Sequence, residues 1–128
     1  MAAPTVTQAG ADRDRAAVVA RACLRAAARL DVPHRTVGRI IGLSEASISR
    51  LAQGGYRLAP DSKPYELAVL FVRLFRSLDA LVGGDEASAR AWLRAENLAL
   101  GARPIDLVAR LSGLVDVIAY LDARRALV

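Results

Sequence analysis

The sequence predicts an all-α protein, a helix-turn-helix bundle followed by a second helical unit, and three observations point there. Alanine, leucine and arginine dominate the 128 residues, aromatics make up only 5%, and β-branched residues are scattered. Such a composition favours helix over sheet. The stretch Val32 to Gly54, VPHRTVGRIIGLSEASISRLAQG, has apolar residues at Val37, Ile40 and Ile41 and again at Leu43, Ile48 and Leu51, with Gly42 between the sets. That spacing belongs to two short helices joined by a tight turn, in which the first braces the second across the major groove of DNA. The third observation is Leu67, Leu70, Phe71, Leu74, Leu78 and Leu81 at helical spacing, widened by Val69, Val72 and Phe75. It marks one long helix that is apolar most of the way round.

Residues 1–11 are small, polar and proline-containing and are expected to form a flexible arm,. A helix is expected from about Asp12 to Leu30, with Val19, Cys23, Ala27 and Leu30 as an inner stripe and Arg21, Arg25 and Arg29 on another face. That arginine row suits phosphate contact and plain solvation equally. Pro33 fits the start of the second helix, where the missing N–H has no helical partner. Gly42 closes that helix, Ser44 caps the third (about Glu45 to Gln53), and Gly54-Gly55 ends it. Gly38 sits mid-helix at a cost of about 1 kcal/mol relative to alanine, which close approach of the two helices would explain. Tyr56 to Lys63, with Pro60 and Asp61, reads as a connecting loop. The first unit is therefore expected to span residues 12–62 and the second 63–128.

Pro64 opens the long helix, which runs to about Val82. It is too apolar to lie on the outside of a small monomer, so Leu70, Phe71, Leu74, Phe75 and Leu78 are expected to serve the core and a homodimer interface together. Gly83-Gly84 stops it, and Asp85 caps a short helix to about Arg94 that carries Trp92 and Leu93. Trp92 reads as the core pin of this unit or as an interface anchor. Glu96 to Arg103 is a loop with Asn97 and Gly101 as turn residues. Pro104 starts a short helix through Leu111. After Ser112-Gly113 a final helix places Leu114, Val117, Ile118 and Leu121 on one face. Its end, Arg124-Arg125-Ala126-Leu127-Val128, is expected to be a mobile charged tip able to enter a cleft.

The net charge of +5 is uneven. Residues 1–60 hold nine arginines against Asp12, Asp14, Asp31 and Glu45, whereas residues 61–128 hold nine basic and nine acidic side chains. All the excess lies in the half with the helix-turn-helix, which a polyanion attracts through counterion release. One cysteine, Cys23, and one histidine, His34, leave no internal disulfide and no zinc site. No metal, cofactor or catalytic residue is expected, because the chain lacks the acid–base and nucleophilic groups an enzyme needs. No signal-peptide pattern precedes the first helix, and the run Leu67 to Leu78, broken by Arg73 and Arg76, is too short to span a bilayer,. A soluble, cytoplasmic protein is the expectation.

Packing fixes the inward positions of the third helix, so the rest must face the groove. Glu45, Ala46, Ser49 and Arg50 are directed to base edges, with Arg50 suited to guanine and Glu45 to a cytosine amine. Ser44 and Gln53 lie where phosphate oxygens would run, and His34, at the start of the bracing helix, can donate to another phosphate. The window resembles the Xre, or lambda-repressor-like, helix-turn-helix family through Val37, Ile41, Gly42, Leu43, Ser44, Ile48, Ser49, Arg50 and Gly54. Pro33, His34 and Gly38 depart from the usual serine, glutamine and alanine.

Gly84 to Ala123 is similar to the toxin-binding domain of Xre/MbcA/ParS-type antitoxins. The resemblance rests on Gly84-Asp85, Ala89-Arg90, Trp92-Leu93, Asn97, Leu100-Gly101, Arg103-Pro104, Leu107, Gly113-Leu114, Val117 and Tyr120-Leu121-Asp122. It implies a non-catalytic antitoxin of a type II pair whose partner is a RES-domain toxin that consumes NAD. Such a protein dimerises, occludes the toxin's active-site cleft and represses its own operon by binding operator DNA. Tyr120, Asp122, Arg124 and Arg125 are the expected toxin contacts, joined by Trp92 as an anchor and by Arg103. The alternative reading is a stand-alone dimeric helix-turn-helix transcriptional regulator.

Overall fold

A computed structural model of the chain describes residues 6–126. Among them the regular elements are seven helices: α1 (Val6–Arg29), α2 (His34–Ile41), α3 (Glu45–Ala52), α4 (Lys63–Leu81), α5 (Glu86–Arg94), α6 (Pro104–Leu107) and α7 (Leu111–Ala126). The all-α expectation holds, and the helix-turn-helix falls where its spacing placed it.

α4 is the axis of the molecule. It packs on α7 and α1 and, less extensively, on α2. Phe71, Leu74 and Leu78 from α4 meet Cys23, Ala27 and Leu30 from α1, Val37 and Ile41 from α2, Ile48 from α3, and Leu114, Val117 and Leu121 from α7 in one core. Small residues on α1 (Ala16, Ala20, Cys23, Ala26, Ala27) are buried, which lets its backbone lie close to its neighbours. Burial pushes the Cys23 thiol up to about 12, so it stays protonated and acts as a small apolar residue.

Four expectations are corrected. α1 begins at Val6, so residues 6–11 of the expected arm are helical; residues 1–5 lie outside the described residues. Gly10 does not break the helix, because once a helix is nucleated a single glycine costs only about 1 kcal/mol. The homodimer face loses its centre: Phe71, Leu74 and Leu78 are 1%, 0% and 0% exposed within the single chain. The girth of α4 is covered by α1, α2 and α7, and only Leu70 and Phe75 of the expected set remain half-buried. α6 ends at Leu107 rather than Leu111, and α7 already starts at Leu111, so Ser112-Gly113 is no linker. A Cβ at Gly113 would overlap the Leu107 carbonyl oxygen and sit 2.7 Å from its carbon; this glycine lets α6 press against α7. Finally, Arg124 and Arg125 are not a mobile tip. Both lie within α7 and have partners, described below; Leu127 and Val128 fall outside the described residues.

Candidate functional site

The position of α3 is set by its caps and by one glycine. Ser44, with extended backbone, accepts from the Ser47 amide at 3.1 Å and so starts α3,. Gly42 ends α2 at φ 81°, and the amides of Gly42 and Leu43 both return to the Gly38 carbonyl at 2.8 and 2.9 Å,. This turn folds back so tightly that a Cβ at Gly38 would overlap the Leu43 carbonyl oxygen. Gly38 therefore answers to the turn backbone rather than to the facing helix.

With Ile48 and Leu51 buried and Leu43 half-buried, Glu45, Ala46, Arg50 and Gln53 are exposed as expected. Ser44, Ser47 and Arg50 form a polar ladder along one edge of α3: Ser44 Oγ donates to Ser47 Oγ at 3.0 Å, and Arg50 Nη2 donates to the same oxygen at 3.3 Å. His34 and Ser49 meet each other, Nδ1 to Oγ, at 3.1 Å, which ties the start of α2 to the middle of α3. Glu45 lies 3.9 Å from the Arg35 guanidinium, both side chains being well exposed. Such a pair holds its members weakly. Among the described residues, the contacts on the exposed face are these. Beside the end of α3, Arg13, Arg21 and Arg57 line a groove of about 650 Å³ that also contains Leu51 and Tyr56. Arg57 was not singled out by the sequence; its only signal is a cation in the loop after the reading helix.

The expected partner residues of the second half divide into two groups and an outlier. Trp92 on α5 stacks on Tyr120 of α7, centroids 6.2 Å apart and planes 25° from parallel, and the Arg124 guanidinium lies 5.6 Å over the Tyr120 ring,. Trp92 is half-buried in this stack; the buried core pin of α5 is its neighbour Leu93. The second group faces α4. Asp122 accepts from Ser77 Oγ at 2.8 Å and from Arg73 Nη2 at 2.9 Å, and Arg125 Nη1 donates to Ser77 Oγ at 3.2 Å. The Ser77 hydroxyl first, then Arg73, holds the Asp122 carboxyl below its usual range,. Arg76 joins Arg73 and Arg125 along the same cleft. Arg103 stands apart from both groups, in a two-pronged bond to Asp106 at 2.8 and 3.0 Å.

Sequence reasoning missed Arg73 and Ser77 as partners of the final helix, and also a clamp between the two halves. Arg90 Nε donates to the Arg29 carbonyl at 2.8 Å, while Arg94 donates to those of Leu30 (3.0 Å) and Asp31 (2.7 Å). These are end-of-helix acceptors that α1 leaves without helical partners. The signals were two arginines four apart on α5, but nothing local names acceptors more than sixty residues away.

Residues 9–73 match the family described as antitoxin Xre-like helix-turn-helix domain. Residues 77–126 match the antitoxin Xre/MbcA/ParS C-terminal toxin-binding domain. No curated protein matches the chain. No helix among the described residues is long and apolar enough to cross a membrane. The first match covers half of the chain and the second follows almost directly, and both agree with the helices described above: the chain belongs to the Xre/MbcA/ParS-type antitoxins.

Proposed function

We propose that this antitoxin-family protein neutralises a co-encoded RES-domain, NAD-consuming toxin by covering its active-site cleft, and represses its own operon through α3. It acts in the cytoplasm as a homodimer within a hetero-oligomer with the toxin, and contributes binding rather than catalysis. One observation carries the reading. A braced helix with Glu45, Ala46 and Arg50 exposed shares a chain with a match to a toxin-binding domain at residues 77–126. Arg50 and Glu45 read base edges with Ala46 and Ser49 beside them; Ser44, Gln53 and His34, with Arg13, Arg21 and Arg57, contact phosphates. On the other half, Trp92, Tyr120 and Arg124 form one partner face and Asp122 with Arg125 the cleft beside it, while Arg103 lies outside both. The half-buried Leu70 and Phe75 of α4, with the exposed Val69 next to Leu70, are the candidate dimer contacts.

The test is co-expression with the protein encoded by the neighbouring reading frame, followed by a gel shift on the operon's own promoter. Rescue of growth, co-purification and a retarded promoter band are expected. A toxic neighbour that the chain neither rescues nor captures sinks the antitoxin reading. A non-RES neighbour sinks the choice of toxin, and an unshifted promoter sinks autorepression.

A further inference from the structure

The groove beside the end of α3 joins an aliphatic floor to a cationic rim. Ala17 and Leu24 of α1 and Leu51 of α3 meet there with Leu58, from the loop that follows α3. That loop is held at both ends. The Gly55 amide donates to the Arg50 carbonyl at 2.8 Å, and Ser62 Oγ donates to the Ala59 carbonyl at 2.7 Å. Between these anchors Leu58 is buried, so the wall of the groove stands before anything enters it. Its volume of about 650 Å³ lies within the range of small-molecule sites, roughly 300–1,000 Å³.

Arg13, Arg21 and Arg57 stand on the rim with a single carboxylate, Asp14. Among the described residues none of these four makes a hydrogen bond or an ion pair, and neither does the Tyr56 hydroxyl beside them. Three unpaired guanidiniums facing one carboxylate call for an anion. A DNA phosphate answers to the rim alone, because it gains nothing from leucine side chains. Rim and floor together suit one chemistry: an anionic head on a hydrocarbon body.

We propose that this groove binds a small amphiphilic anion, a carboxylate or phosphate monoester on a hydrocarbon chain, and that the ligand releases the protein from its operator. The chain lies along Leu24, Leu51 and Leu58, and the head meets Arg21 and Arg57. Release rests on the operator reading, in which the same guanidiniums contact phosphates; one guanidinium cannot serve both.

The probes are decanoate and decyl phosphate, which separate the two head groups, with decanol and inorganic phosphate as body and head alone. Each is titrated calorimetrically against the full chain and its Ala17→Trp and Arg57→Ala variants. Melting temperature and the promoter gel shift are followed in parallel. Ala17 is exposed on α1 and lines the groove, so tryptophan there fills the space without entering the core.

At least one amphiphile is expected to bind tenfold or more tightly than decanol or phosphate. Arg57→Ala weakens it roughly tenfold, the scale of one charge-assisted hydrogen bond. Ala17→Trp abolishes binding with melting unchanged. Saturating amphiphile weakens the promoter band of the parent but not that of Ala17→Trp. If neither amphiphile binds, or Ala17→Trp binds as tightly as the parent, the groove is overturned as a site. Decanol binding as tightly as decanoate and decyl phosphate overturns the part given to the arginines. Binding that leaves the promoter band unchanged overturns release. If the parent never shifts the promoter, the operator reading falls, and the titrations still decide the groove.

Discussion

The exposed edge of α3 and the end of α7 both carry polar and cationic residues at helical spacing, yet they differ in what those residues already do. On α3, the contacts of Glu45 and Arg50 among the described residues are weak or local, an ion pair of 3.9 Å and a bond to Ser47 one turn away. On α7, Asp122 and Arg125 are committed to Ser77 and Arg73 on α4, and Arg124 to the Tyr120 ring. A charge that reads as available in a sequence is available in the molecule only when no neighbouring helix has claimed it. α3 is eight residues long and braced from below, and among the described residues no helix covers its outer face. The last helix lies along α4, where Asp122 and Arg125 find partners.

The largest expected effect tests whether the two regions fold together. Gly113→Ala forces a methyl group into the Leu107 main chain and should destabilise by about 3 kcal/mol. Because α4 joins both halves in one core, urea unfolding is expected to stay a single transition shifted to lower denaturant. Two separated transitions would show that the halves fold independently.

Next in size is Arg50→Ala, which should weaken operator binding by roughly 1–3 kcal/mol with unchanged melting. Unchanged operator affinity would remove Arg50 from base readout. Arg73→Ala should show the converse. It leaves operator binding alone and lowers stability by about 0.5 kcal/mol, the scale of a mostly exposed ion pair. Loss of operator binding in Arg73→Ala would erase the contrast between the two regions.

The smallest effect is a pH dependence. The folded Asp122 carboxyl lies below its usual value of 3.8, so its contribution is present above that value. It is lost as pH falls from about 4 through the depressed folded value. Asp122→Asn should flatten the fall in melting temperature over that range. An unchanged acid limb would show that the carboxylate adds nothing to stability.

The local parts of this molecule were legible in its sequence. Ser44 and Asp85 cap helices as their side-chain chemistry dictates, Gly42 ends α2 in the left-handed region, and Ile48 and Leu51 turn inward. What escaped lies between distant elements. The apolar girth of α4 suggested a second copy, because periodicity cannot say that three helices of the same chain surround it. Gly113 looked like a linker because a contact with Leu107 leaves no trace in spacing. Ser77 and Asp122 are 45 residues apart, and no local pattern announces such a pair. Glu45, Ala46, Arg50 and Gln53 are exposed where the spacing put them, while Ser49 is half-buried against His34; contact with bases is a property of a complex.

The clamp of Arg90 and Arg94 on the end of α1 has one further consequence. Its acceptors are main-chain carbonyls, so substitutions along α1 cannot delete them. What the clamp senses is where the first helix stops. Adding or removing one residue there rotates the helix end by about 100° and moves it 1.5 Å, pulling all three carbonyls out of reach. The clamp therefore ties the front and rear of the molecule through the place where α1 stops rather than through the identity of the side chains along it.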